Sequence, residues 1–288
     1  MTIGYLGPKG TFTDFACQQF MAKEHLIETV KTRPFQSLDH LFDALNNGDV
    51  SGIFSPIENS IEGPVNRVLD RLIHYDQTRI ERIYEMPIHQ SLLSPNPDLV
   101  VSNIQHIVSM PHAIAQCYHF IRTHCPNATI HHASSTAGAV SLMDGLNIDP
   151  NVTAIIGHAH IVHYFPVHLI QKNTHDDGQN HTQFALITQA PFPPLPPQRP
   201  TLGFIAFSTP KDQPGSLLSV LDIFKSANIN LTKILSRPEK SAMGSYIFYI
   251  EFLSNFATLS TMDLLNQVKS LTLYFNHLGE YGYCKLHD

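Results

Sequence analysis

The 288-residue chain is short of cysteine, of charge and of long apolar runs, and each shortage excludes a class of protein. Its four cysteines, Cys17, Cys117, Cys125 and Cys284, are scattered and form no C-x-x-C pair. That argues against a disulfide framework and predicts reduced thiols. Charged residues make up only 15%, the net charge is −6, and no basic block is present. A nucleic-acid surface has nothing to be built from. No apolar stretch approaches the roughly 18 residues of a membrane span. The opening residues, Met1 to Leu6, lack the charged start and long apolar core of a signal peptide and read as a strand. The expected location is therefore the cytoplasm. There is no P-loop, and no G-x-G-x-x-G follows the first strand, so no cofactor is expected. Histidine alone is abundant, at 18 residues. His158, His160 and His163 are the tightest group, yet only His160 and His163 share a helical face, and no H-E-x-x-H accompanies them. No metal site is predicted.

What is present is enough apolar sequence, 43%, for roughly two packed domains. Residues 189–200 carry prolines at 191, 193, 194, 196, 197 and 200 and read as an extended, semi-rigid linker. Before the linker, strand patterns at 3–7, 53–57, 83–93, 104–109, 129–133, 153–157 and 184–188 alternate with helical ones. The helical patterns lie at 14–22, 38–46, 64–75, 113–124, 136–142 and 158–165. Alternation of this kind predicts parallel α/β units. The long run 83–93 contains Pro87 and suggests a crossing to a second lobe, with a return near 167–172. The expected lobes are 1–80 with 173–188, and 81–172, with a cleft between them. After the linker, residues 201–288 read as βαββαβ, a ferredoxin-like plan.

One stretch concentrates polar groups at a strand end: Pro56-Ile57-Glu58-Asn59-Ser60-Ile61-Glu62-Gly63. It follows an apolar run and precedes Val65, Val68, Leu69, Leu72 and Ile73 at helical spacing. In open α/β sheets, ligands bind beyond the carboxyl ends of strands, and helix starts favour anions. Helix capping by Asn59 or Ser60 is the plainer reading of the same residues.

Several segments, taken in order, resemble prephenate dehydratases. Gly4-Tyr5-Leu6-Gly7-Pro8-Lys9-Gly10-Thr11-Phe12-Thr13 is similar to their opening signature, and Pro56–Gly63 to their Pro-Ile-Glu-Asn-Ser motif. Ser109-Met110-Pro111-His112-Ala113-Ile114-Ala115-Gln116-Cys117, Ser134-Ser135-Thr136-Ala137 and Asn180-His181-Thr182-Gln183-Phe184 match three further segments. Gly215-Ser216-Leu217 and Ser236-Arg237-Pro238 resemble motifs of a regulatory ACT domain. The resemblance implies a two-lobed, periplasmic-binding-protein-like domain followed by an ACT domain. It implies conversion of prephenate to phenylpyruvate, water and carbon dioxide. Feedback by phenylalanine and a homodimer or homotetramer are implied as well.

The resemblance also assigns residues. Thr182 is the expected donor to the leaving hydroxyl. Glu58 is a second catalytic candidate, as an acid if burial raises its pKa, against a plain hydrogen-bonding role. Thr11, Thr13, Asn59, Ser60, Ser134, Ser135, Thr136, Gln183 and Phe184 are expected around the substrate. Gly215, Ser216, Leu217, Asn228, Asn230, Leu235, Ser236, Arg237 and Pro238 are expected around the effector. Four residues depart from the family pattern. Gln183 stands where an Arg is usual, His112 where a Gln is, Ser216 where an Ala is and Leu235 where a Glu is. Within the same chemistry arogenate is an alternative substrate. A catalytically weak two-lobed amino-acid sensor is the alternative of a different class.

Overall fold

The computed structural model describes residues 1–75, 77–193, 195, 201–210, 214–239, 245–254 and 261–286, without the side chains of residues 136, 137, 141, 144 and 146. Four of the prolines expected in the linker, at 194, 196, 197 and 200, lie outside the described residues.

The sequence alternation becomes two open α/β sheets. The chain begins with β1 (Thr2–Leu6), α1 (Phe12–Lys23), β2 (Lys31–Phe35), α2 (Leu38–Asn46) and β3 (Gly52–Asn59). A two-residue β4 (Gly63–Pro64), α3 (Asn66–Leu72) and β5 (Arg79–Pro87) follow. It then crosses and lays down β6 (Ser91–Ser94), β7 (His106–Ser109), α4 (Pro111–Ala115), α5 (Tyr118–His124) and β8 (Thr129–His132). This second lobe ends with α6 (Thr136–Leu146), β9 (Thr153–Gly157) and β10 (His168–Gln171). The chain returns as β11 (His181–Thr188). The first sheet has the order β2-β1-β3-β11-β5 and the second β10-β6-β9-β7-β8. Strand β11 inserts antiparallel between β3 and β5, so the returning chain lies in the middle of the sheet that began the fold.

Several details differ from the sequence reading. The crossing lies at residues 88–90, within the run 83–93, so the lobe boundary comes later than the expected 80/81, because β5 stays paired with β11 as far as Pro87. Residues 167–172 are not the return itself but contain the edge strand β10. Strand β2 escaped notice because Lys31-Thr32-Arg33-Pro34-Phe35 is an exposed edge with no apolar alternation. The single helix expected over 113–124 is two, α4 and α5, and the one expected over 158–165 is a 3-10 turn, Ala159–His163.

The third module is β12 (Leu202–Ser208), α7 (Ser216–Ser226), β13 (Leu231–Pro238), β14 (Tyr246–Leu253), α8 (Thr261–Ser270) and β15 (Tyr274–Lys285). Its antiparallel order β13-β14-β12-β15 is the ferredoxin-like plan. Val220, Phe224, Leu264 and Val268 of the helices cover one face, packing on Ile205, Phe207, Ile250 and Phe252. The other face, with Phe204, Ala206, Ile247 and Tyr249, packs on Leu69, Leu72 and Ile80 of the first lobe. Burial on both faces explains the unbroken apolar run of β12. Full burial of each such side chain stabilises by about 1.5–3 kcal/mol.

Strand β15 runs for 12 residues. Its first part pairs with β12, and residues Gly282 to Lys285 pair parallel to β5. The third module and the first lobe therefore share one ten-stranded sheet. The register slips beside Phe204, and Gly279 there has φ +133°. A Cβ at Gly279 would lie 2.4 Å from the Ile80 carbonyl oxygen. Both the backbone angle and the space demand glycine. We expect Gly279→Ala to destabilise the chain by about 2 kcal/mol or more, read as a lower urea midpoint. An unchanged midpoint would show that the two sheets are not locked together here.

Candidate active site

Strands β3 and β11 build one wall of a cleft between the lobes. Glu58 pairs with Gln183, but Phe184 pairs with Pro56, so Ile57 is an extra residue and β3 bulges. Proline is tolerated at a bulge, since no ladder donor is needed there. The bulge turns both Pro56 and Asn59 to the same side, beside Thr182 and Phe184, and all four line a cavity of about 410 Å³.

The amide of Asn59 has a fixed polarity. Its Oδ1 accepts from the backbone N–H groups of Ile61 (3.0 Å) and Glu62 (2.9 Å) in the following turn. Two main-chain donors leave that atom no alternative to being the oxygen. Nδ2 therefore faces the other way, 2.7 Å from Asn180 Oδ1, 3.1 Å from His181 O and 2.9 Å from Thr182 Oγ1. Asn180 is buried, and with its oxygen engaged its Nδ2 donates to Gln116 Oε1 at 3.1 Å. Gln90 Nε2 donates to the same oxygen at 3.0 Å. Because Thr182 Oγ1 accepts from Asn59, its hydroxyl hydrogen is available to donate into the cleft. At the far end of this series, Gln90 Oε1 is buried and has no hydrogen-bond partner among the described residues. An orphaned acceptor costs about 1–3 kcal/mol unless a ligand or water donates to it.

Each lobe contributes a helix start. Thr11 caps α1, accepting from the Asp14 N–H at 3.2 Å and donating to Pro8 O at 2.9 Å. Buried Asp14 accepts from the Gly10 N–H at 2.9 Å, which ties down the loop that carries Thr11, Phe12 and Thr13 to the cleft. From the opposite lobe Ser135 caps α6, accepting from the Gly138 N–H at 2.8 Å, and Ser134 lies beside it in the lining. Helix starts attract anions. Among the described lining residues there is no lysine or arginine, and Glu62 and His112 are the titratable ones. Leu6, Val65, Ile88 and Met110 complete an apolar wall.

Thr11, Thr13, Asn59, Ser134, Ser135, Thr182 and Phe184 thus come together as expected. The side chain of Thr136 lies outside the described residues. Ser60 does not line the cavity; it bridges to β11, accepting from the His181 N–H at 2.9 Å and donating to Gln179 O at 3.2 Å. Glu58 and Gln183 are also not brought to the cleft. Strand alternation puts them on the opposite face from Asn59 and Thr182, where Glu58 forms an ion pair with Lys233. The sequence reading missed Gln90 and did not single out Gln116 and Asn180 as site residues. Gln116 and Asn180 were within reach, since both sit in family-like segments. Cys117, next to Gln116, is no nucleophile: burial pushes its thiol up to about 12.

The expected effector residues are divided. Gly215 (φ +89°) precedes α7, which begins at Ser216, and Asn228 (φ +54°) lies between α7 and β13. On β13 alternation turns Leu235 and Arg237 toward the first lobe. Leu235 packs on its apolar cluster, and Arg237 makes two bonds of 3.2 Å to Asp70 of α3. Ser236 and Pro238 are exposed on the other side. The His160 and His163 rings meet edge-on with centroids 4.7 Å apart, and burial with neighbouring imidazoles lowers the His160 pKa. Among the described residues no group of three or more His, Cys, Asp or Glu side chains is placed to hold a metal.

Asn59→Asp keeps the acceptor for the turn but removes both donors. The Thr182 hydrogen would then turn back to the carboxylate. We expect prephenate turnover to fall about 100-fold or more with the fold intact. Turnover near wild type would show that Asn59 does not orient Thr182.

The family profile described as prephenate dehydratase matches residues 3–191. The prephenate dehydratase of Bacillus subtilis is 31% identical, over 98% of both chains. That of Methanocaldococcus jannaschii is 30% identical, over 96% of both. The crystal structure of prephenate dehydratase from Arthrobacter aurescens, solved in complex with L-Phe, superposes with a TM-score of 0.84 at 29% identity. It covers 98% of this chain and 90% of that one. The chain belongs to the prephenate dehydratase family, lyases that dehydrate prephenate.

Proposed function

We propose that the cleft converts prephenate to phenylpyruvate, and that the hydroxyl of Thr182 assists the departure of the ring hydroxyl. The carrying observation is the fixed polarity of Asn59, which makes Thr182 a donor toward the cleft. The two carboxylates of the substrate would sit at the starts of α1 and α6, with the ring against the apolar wall. The bond from ring to carboxylate carbon breaks and releases carbon dioxide. Its electron pair enters the ring as the carbon–oxygen bond breaks at the opposite ring carbon, and the departing hydroxide takes a proton from solvent to leave as water. The Thr182 hydroxyl stabilises the charge growing on that oxygen by hydrogen bonding. Neutral donors hold the carboxylates without the tight ion pairs that would favour the ground state. Aromatisation supplies the driving force, so the protein positions and polarises.

The orphaned acceptor of Gln90 favours a second substrate to be tried. Arogenate carries an ammonium group where prephenate has a keto oxygen, and an ammonium would satisfy such an acceptor.

Residues 201–288 are proposed to be an ACT domain, joined by the linker 189–200 to a dehydratase domain, 1–188, and to bind phenylalanine as a feedback effector in a homo-oligomer. The L-Phe complex of the Arthrobacter aurescens relative supports this reading. Leu235 faces the first lobe, so a glutamate there would enter an apolar contact rather than an effector site. Leu235→Glu is accordingly expected to lower thermal stability.

The test is to supply prephenate at neutral pH and follow phenylpyruvate by its absorbance in alkali, with and without phenylalanine, and with arogenate in parallel. Wild type should form phenylpyruvate and be inhibited by phenylalanine. Thr182→Ala should lose about 100-fold or more in turnover with unchanged thermal stability. A wild type that binds prephenate but forms no product would instead be the two-lobed sensor.

A further inference from the structure

Behind the Asn59–Thr182 pair, on the opposite face of the sheet, Glu58 of β3 lies across from Gln183 of β11, which lies across from Glu85 of β5. Two side chains of the third module reach this patch. Lys233 of β13 forms an ion pair and hydrogen bond with Glu58. Tyr283 of β15 donates its hydroxyl to Glu85. The Lys233 and Glu58 side chains are only 19% and 26% exposed, so water screens their attraction less than at an open surface.

The end of β3 needs such a hold. Pro56 has no N–H for the ladder, Ile57 is bulged out of register, and beyond Asn59 the strand gives way to a turn. The face of β13 that carries Lys233 also packs Leu235 on the first lobe and pairs Arg237 with Asp70. The strand therefore rests on the lobe at three successive alternate residues. Glu58 is covalently next to Asn59, so a shift of the Glu58 carboxylate is felt one residue away at the amide that orients Thr182.

We propose that Lys233 is a positioning residue for the reaction. Acting through Glu58, it fixes the end of β3 and so holds the Asn59 amide, and with it the Thr182 hydroxyl, at the substrate. The third module is then part of the active site's support as well as a covering domain. A ligand that displaces β13 would act on turnover by the same contact. This inference rests on the dehydratase reading of the cleft.

The experiment compares the full-length wild type with Lys233→Met, Lys233→Arg, Glu58→Gln and the double variant Lys233→Met/Glu58→Gln. It measures kcat and KM with prephenate, and amide hydrogen exchange over residues 57–61 and 181–184. For Lys233→Met we expect kcat to fall about tenfold or more with KM little changed, because a small misplacement is costly. Lys233→Arg should recover most of the loss. Glu58→Gln should resemble Lys233→Met, and the double variant should be no worse than the poorer single, since both cut one tie. Exchange at 57–61 should quicken in each impaired variant. A folded Lys233→Met with wild-type kcat would overturn the inference, and if that variant does not fold, wild-type kcat in Glu58→Gln would do so. Losses that simply multiply in the double variant would also overturn it. An inactive wild type overturns the dehydratase reading and this inference with it; an active wild type with an unaffected Lys233→Met overturns this inference alone.

Discussion

Two main-chain N–H groups set the polarity of the cleft. By donating to Asn59 Oδ1, Ile61 and Glu62 decide which end of that amide faces Thr182. From there the direction of every bond follows, through Asn180 and Gln116 to Gln90, because each amide has one oxygen and one nitrogen to offer. An uncharged chain of side chains can thus present a donor at one point and an acceptor at another without any shifted pKa. The proposed mechanism, driven by aromatisation, calls on such a preset arrangement rather than on a charged acid.

The same backbone serves two audiences. One face of β3 and β11 looks into the cleft through Asn59 and Thr182. The other looks at the third module through Glu58 and Gln183. Strand β15 adds a second tie, since it belongs to the sheet of the third module for most of its length and to the first lobe's sheet for the rest. A module joined by a continuous sheet and by a part-buried ion pair is poorly placed to move without consequence for the cleft. That is a physical basis on which an effector bound to the third module would change turnover.

Much of this was legible in the sequence. The expected strand 153–157 and helix 38–46 coincide with β9, a continuous buried run, and with α2, whose buried residues fall on one face. The helix-start residues Thr11 and Ser135 were recognisable from their motifs. What the sequence hid depends on register. Glu58 and Asn59 are adjacent in a polar stretch, and nothing local says which faces the cleft; the Ile57 bulge and the pairing with Gln183 decide it. Gln183 looked like a substrate contact because it stands where the family motif has an Arg, yet strand alternation turns it to the opposite face from Thr182. Gln90 sits in the short crossing after Pro87, and its role exists only because the second lobe brings Gln116 to it. The exposed edge β2 has no pattern to read, since its side chains pack against little.

The central claim is that Thr182 acts through its hydroxyl hydrogen, presented by Asn59. The most direct measurement is prephenate turnover in Thr182→Ser beside Thr182→Val. Serine keeps the hydroxyl and valine keeps the shape. The account predicts that the serine variant retains most of the wild-type kcat while the valine variant loses about 100-fold or more at similar thermal stability. A valine variant that turns over prephenate as fast as the serine variant would contradict it.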